Sequence, residues 1–206
     1  MKRKNNILTR EQWLQNAVAA MEPWFKAKGY NVPRVRVSCG WPSSRGMSAK
    51  RYVIGEAWDK SASSDKVAQL FISPRLKNEV EPSGVLSTLV HEVVHATVGN
   101  KEGHNKVFGK CARSVGLEGK LTQTHAGEEL TGQMKSWMKI LKEYPHANLN
   151  PNKRPVKKQT TRLIKCLCRD CGYNVRVTQK WIAEGTPLCP CNEQPMAAEL
   201  PEGLDE

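Results

Sequence analysis

No run of this chain is long and apolar enough to span a membrane, and its first residues, Met1-Lys-Arg-Lys-Asn-Asn, lead into an amphipathic segment without the apolar stretch of a secretory signal. Both absences point to a protein of a reducing, cytoplasmic compartment with no membrane partner. Disulfide scaffolding is disfavoured on the same ground, and the seven cysteines are an odd number, so metal ligation is the better expectation for them. Acidic side chains are in short supply: 20 Asp and Glu face 32 Lys and Arg, a net charge of +12, and such an excess attracts polyphosphate. No internal repeat is present. What remains, in 206 residues, is room for one domain with a proper core and a small appendage.

Histidine is scarce too, five in the whole chain, which makes its grouping informative. His91-Glu92-Val93-Val94-His95 is followed, past Gly99, by Glu102-Gly103-His104. Two histidines four apart on a helix point the same way, because 3.6 residues complete a turn, so both imidazoles can bind one ion. Glu92 lies about 100° round the helix from His91, placed to act as general base on a metal-bound water. Gly99 supplies a helix stop that lets the chain turn back. His104 can then return as third protein ligand, leaving the fourth position for water, the mark of a catalytic rather than a closed zinc site. His125 and Glu128 also follow, and spacing alone does not remove them as third ligands. The bland alternative is satisfied histidines beside a solvated acid. Against it, Val85-Leu86, Leu89-Val90, Val93-Val94 and Val98 are apolar at helical spacing, so these polar groups ride on a mostly buried helix.

A second set of ligand residues lies near the C-terminus. Cys166-Leu-Cys168-Arg-Asp-Cys171-Gly172-Tyr173 is followed after about twenty residues by Leu188-Cys189-Pro190-Cys191, with the β-rich run Asn174-Val-Arg-Val-Thr178 between. Two close cysteine pairs so arranged match a zinc ribbon, with Cys168, Cys171, Cys189 and Cys191 closing a tetrahedral structural site. The Cys-x-Cys spacing of the second pair is tighter than usual and leaves Cys166 open as a substitute ligand. A redox CxxC is the competing reading, but no βαβ pattern surrounds it. Cys39 and Cys111 fall on apolar faces and read as buried small hydrophobes.

Other elements follow from periodicity. Thr9 with Gln12 forms a capping box ahead of Trp13, Leu14, Ala17, Val18, Met21, Trp24 and Phe25, predicting a helix over 9–28. Strands are expected at 34–39, 52–54 and 69–73, the metal helix at about 82–98, a short helix from Lys106, and another near 128–143. The segment 69–73 is expected to be the sheet edge along which an extended polypeptide could lie as an added strand. The proline-, asparagine- and lysine-rich segment 145–161 reads as a linker. Residues 153–180 hold nine basic side chains against Asp170 alone. Lys157, Lys158, Arg162, Lys165, Arg176 and Lys180 are the expected nucleic-acid contacts, with Trp181 and Tyr173 available to stack on bases. A solvated, merely solubilising linker face is the alternative.

The order helix, strands, metal helix, returning histidine is that of a small zincin. The chain resembles the SprT-like zinc metalloproteases, the family that includes the animal DNA-repair protease Spartan. The resemblance rests on Leu89-Val-His-Glu-Val-Val-His-Ala96, on Gly103-His104 with Phe108 four residues on, and on the ribbon with Cys-Gly-Tyr and Leu-Cys-Pro-Cys. Small phage and bacterial members are the most similar, through Ile72-Ser-Pro-Arg-Leu76 and Arg176-Val-Thr-Gln-Lys-Trp181, and the likeness spans roughly residues 30–195. It implies zinc on His91, His95 and His104, Glu92 as base, and a ribbon that helps engage DNA. Asn105 departs from the glycine that relatives often carry there. The expected fold is α+β: a minimal zincin-like metalloprotease domain (1–144), a basic linker (145–161), and a small C-terminal β zinc ribbon with an acidic tail (162–206). The expected activity is zinc-dependent hydrolysis of DNA-associated or DNA-crosslinked proteins by a monomer carrying two Zn2+ ions, one catalytic and one structural, in the cytoplasm (the host's, if the gene is a phage's). A nucleic-acid-binding or transcription-associated zinc protein without productive proteolysis is the alternative, and Glu92 separates the two, since a purely structural site needs no carboxylate there.

Overall fold

The computed structural model describes residues 8–48, 50–81, 83–153 and 163–200. The chain is mixed α and β and divides into two compact units, Met1–Lys153 and Arg154–Glu206. No helix among the described residues is long and apolar enough to cross a membrane.

The first unit opens with helix α1 (Arg10–Ala27), started by the capping box in which Thr9 accepts from the Gln12 backbone and the Gln12 side chain accepts in return from Thr9 N–H. Its buried stripe of Trp13, Leu14, Ala17, Val18, Met21 and Phe25 recurs every three or four residues, which fixes the face it presents to the core. Three strands follow: β1 (Val35–Cys39), β2 (Gly55–Trp58) and β3 (Ala68–Ile72). They form a sheet of order β1-β3-β2, with β1 parallel and β2 antiparallel to β3. Val35, Val37, Leu70 and Ile72 occupy alternate positions and are buried, so one face of the sheet meets the core. Helix α2 (Val85–Val98) packs on β2 and β3 with nine buried residues from Val85 to Val94.

Two expectations change here. The segment 69–73 is the centre of the sheet, paired on both sides, so it offers no free edge. The edges are β1 and β2; α1 side chains bond β1, Gln15 donating to the Val35 carbonyl and Glu11 accepting from the Cys39 N–H, which leaves β2 the more open of the two. The second strand begins at Gly55 rather than covering 52–54, because only from Gly55 does the backbone run in register with β3, Gly55 opposite Ile72 and Trp58 opposite Gln69. The Ile54 carbonyl accepts from Ser73 N–H. Strand alternation therefore turns the N–H and C=O of Gly55 and Ala57 outward, and of these the Ala57 carbonyl is taken by the Asn100 side chain.

After α2 the chain continues through helix α3 (Lys106–Ser114), a hairpin of β4 (Leu117–Lys120) and β5 (Gln123–Ala126), and helix α4 (Glu128–Leu141). The start of the segment expected as linker is bonded to the first unit. Tyr144 is 3% exposed and stacks on Trp13 at 4.8 Å. Its N–H donates to Glu79, and both His146 and the Leu149 N–H reach the Pro74 carbonyl. These bonds tie the segment to the first unit.

The second unit is a three-stranded antiparallel sheet, order β7-β6-β8, of β6 (Leu163–Leu167), β7 (Asn174–Thr178) and β8 (Ala197–Glu199), with the short helix α5 (Gln179–Glu184) after β7. Its small core is Cys166, Cys168, Cys189 and Met196, with Val175, Val177, Ile182 and Ala198 against it. So few apolar groups bury too little surface to hold such a fold on their own, and domains of this size ordinarily draw on a bound metal or other cross-link.

Candidate metal centres

Helix α2 brings His91 and His95 one turn apart, and the chain beyond returns His104 to them. Gly99 ends the helix at φ 94° and Gly103 turns the chain again at φ 51°, both in the left-handed region that glycine enters without steric cost. Asn105 then caps α3, accepting from the N–H groups of Val107 and Phe108. Asn105 therefore fixes the start of α3 directly after His104.

The Nε2 atoms of His91 and His95 each lie 3.2 Å from His104 Nε2, so three imidazole nitrogens converge on one point and could hold a metal ion. Phe108 forms the apolar floor beneath them, its ring centroid 5.0 Å from His91, 4.4 Å from His95 and 5.0 Å from His104. Burial and the neighbouring imidazoles lower the His91 pKa to about 3 and that of His95 to about 4, and burial lowers His104 also. All three are thus neutral near pH 7, the form in which imidazole ligates. His91 is oriented from behind, since its Nδ1 lies 2.7 Å from Thr124 Oγ1 on β5. That bond leaves Nε2 free for an ion. His125 is the next residue along the strand and lies outside this group, its ring against Gly119.

Glu92 is 5% exposed, and burial pushes its carboxyl pKa up to about 8, with Glu56 adding repulsion. Its seat is made by a missing side chain. A Cβ added at Gly55 would come within 2.9 Å of the Glu92 carboxyl carbon and 2.7 Å of Thr88 Cγ2, far inside van der Waals contact. Gly55 on the open edge strand therefore lets the carboxyl lie against the backbone. The places of Gly55 against Glu92 and of Thr124 against His91 are ones that sequence reasoning missed, whereas Phe108 stands out in the sequence only for its spacing from His104. An unusually small residue at the head of a strand was the one sign of Gly55, and nothing local marked Thr124.

In the second unit the thiols of Cys168, Cys171, Cys189 and Cys191 converge, and this group too could hold a metal ion. Sulfur separations are 3.8 Å for Cys168–Cys191, 3.5 Å for Cys171–Cys189 and 3.3 Å for Cys189–Cys191. One turn is closed by Gly172 at φ 76° with its N–H on the Cys168 carbonyl; the other by the Glu193 N–H on the Cys189 carbonyl. Backbone N–H groups of Cys171 and Asp170 lower the Cys168 pKa to about 7, which favours the thiolate that ligation needs. Cys166 is fully buried in the small core and outside the group. Cys111 is fully buried and Cys39 partly so.

Of the expected nucleic-acid contacts, Lys157, Lys158 and Arg162 lie outside the described residues. Lys165 pairs with Glu199 at 2.8 Å and stands opposite Arg176 across the β6–β7 ladder. Lys180 lies 5.1 Å over the Trp181 ring, and Trp181 and Tyr173 are 57% and 48% exposed. No protein-family model, curated protein or solved structure matches this chain.

Proposed function

We propose that the chain is a zinc-dependent metalloendopeptidase of SprT-like type, a minimal zincin domain joined to a zinc ribbon, acting on proteins associated with or crosslinked to DNA. The observation that carries this reading is three imidazole nitrogens converging on one point, two of them from a helix that also buries the carboxyl of Glu92, the residue next to His91. Zinc fits both donor sets. Tetrahedral coordination with Zn–N near 2.05 Å sets nitrogens about 3.3 Å apart, and Zn–S near 2.3 Å sets sulfurs about 3.8 Å apart. The observed 3.2 Å between nitrogens and 3.3–3.8 Å between sulfurs agree. Three neutral histidines leave a coordination position open, whereas four thiols close theirs, which supports a catalytic role for the first group and a structural one for the second.

A zinc ion on the three histidines would acidify a bound water toward neutrality and polarise a substrate carbonyl. Glu92 would take the proton from that water and hand it to the leaving amine as the peptide bond breaks. Its dry seat against Gly55 would hold the proton acceptor in one place before substrate arrives. The outward N–H and C=O of Gly55 and the N–H of Ala57 offer an extended peptide a partial ladder beside Glu92.

Incubation of wild-type and Glu92→Gln protein with a DNA-bound protein, with and without DNA, tests this on a gel. Cleavage by the wild type alone is expected. A zinc-loaded wild type that leaves every substrate intact would instead support the alternative of a nucleic-acid-binding zinc protein.

A further inference from the structure

The loop between β1 and β2 carries a cluster that the protease reading does not use. From Gly40 to Gly55 there is no acidic residue, while Arg45, Lys50 and Arg51 are basic and all three are exposed. Tyr52 beside them is 47% exposed. Arg75, just past β3, sets its guanidinium carbon 4.2 Å from the centre of the Tyr52 ring and 5.8 Å from that of Trp41. Its Nη2 donates to the Ser48 carbonyl at 2.8 Å, its buried Nε has no partner, and no ion pair among the described residues includes it. An unneutralised cation thus lies over an aromatic ring of this loop, and the loop carries three further exposed cations.

A fixed cation under an exposed ring pre-orients that ring at little entropic cost, and flat rings amid exposed cations match a ligand with alternating π faces and phosphates. Arg45 and Arg51 hold left-handed backbone, φ 53° and 52°, which glycine would adopt more cheaply, so the loop carries charge where its geometry alone would prefer none. An acidic peptide would satisfy the cations and leave the ring unused. We propose that Trp41, Arg45, Lys50, Arg51, Tyr52 and Arg75 form a single-stranded nucleic-acid-binding surface on the first unit, separate from the basic residues of the second. Tyr52 is three residues from Gly55, at most about 11 Å along the chain, and Gly55 seats Glu92. The loop is also tied to β2 through the Ser43 N–H, which donates to the Glu56 carboxylate at 2.8 Å. A strand held there would bring any protein attached to it to the β2 edge. Only this last consequence rests on the protease reading; the binding itself does not.

The test uses the full chain carrying Glu92→Gln, so that no turnover enters, and a fluorescein-labelled thymidine oligonucleotide of about 20 nucleotides. Affinity is read by anisotropy across a salt series, against the same sequence as duplex and against polyglutamate. Arg45→Gln with Lys50→Gln and Arg51→Gln should weaken single-strand binding and flatten the log–log salt slope by about 2, three phosphates at about 0.7 each. Tyr52→Ala should lose about 5- to 150-fold, the range of one stacked base, and Tyr52→Phe should restore it. In parallel, an oligonucleotide bearing 4-thiothymidine should photocrosslink to the peptide containing Trp41 or Tyr52. Crosslinks confined to the second unit, with unchanged affinity and slope in both variants, would overturn the proposal. So would polyglutamate binding as tightly as the oligonucleotide and being lost in the same variants.

Discussion

Replacing Glu92 by Gln in metal-free protein should stabilise the fold, and by an amount that grows with pH. The Glu92 carboxyl is 5% exposed and burial lifts its pKa to about 8, against an ordinary glutamate value of about 4.3 in the unfolded chain. A raised carboxyl pKa means that the folded state holds its proton more tightly, so this group's contribution is fully present below the unfolded pKa and is lost as pH rises toward 8. At 1.36 kcal/mol per pH unit over the part of that window between pH 5.5 and pH 8, the loss is about 3 kcal/mol. Gln mimics the protonated acid and does not titrate. Urea unfolding of both metal-free proteins at several pH values should therefore show the gap between them widening by about 3 kcal/mol from pH 5.5 to pH 8. The three histidines titrate identically in both proteins and cancel, as does any fixed cost of burying the amide. A gap that stays constant within about 1 kcal/mol would refute the dry carboxyl seat. Saturating zinc should narrow the gap, because a cation near Glu92 favours its charged form.

Further outcomes follow from the supports of each metal group. Thr124→Val, which keeps the shape but removes the bond to His91 Nδ1, should lower zinc affinity about 10- to 100-fold by competition with a chelating dye, and Thr124→Ser should recover most of it. Gly55→Ala should leave zinc bound but cut turnover, because the added methyl displaces the Glu92 carboxyl; loss of the metal together with activity would show a general collapse of the sheet edge instead. His104→Ala should lose the first metal whereas His125→Ala should not, checked by elemental analysis. Cys168→Ser should unfold the second unit while the histidine site stays loaded, reducing the zinc count from two to one.

Helix α2 was readable because everything about it is local. Apolar residues at 85–94 announce burial, four-residue spacing puts two imidazoles on one face, and Gly99 marks the end. The grouping of four cysteines that could hold a metal ion was readable for the same reason, down to Gly172 in its turn. The sheet order was not. Alternation along 68–72 shows that one face is buried, but says nothing of what lies on either side of the strand, and only the long-range pairs Val37–Leu70 and Ala57–Leu70 put β3 in the middle. The hairpin of β4 and β5 escaped for a different reason: its strands have four residues each and are largely polar, so neither propensity nor period rises above background.

That short hairpin matters more to the site than its length suggests. Thr124 reaches His91 from 33 positions away, and the contact falls to Thr124 rather than to His125, which spacing alone leaves open beside His104 as a third ligand. The choice between them is set by register, Gly119 opposite Thr124 and Glu118 opposite His125. A one-residue slip would exchange the two faces, sending an imidazole toward the three histidines in place of a hydroxyl. Gly119, with φ 84°, leaves room for the His125 ring, which a Cβ there would meet at 2.8 Å, and His125 stays outside the group of three histidines.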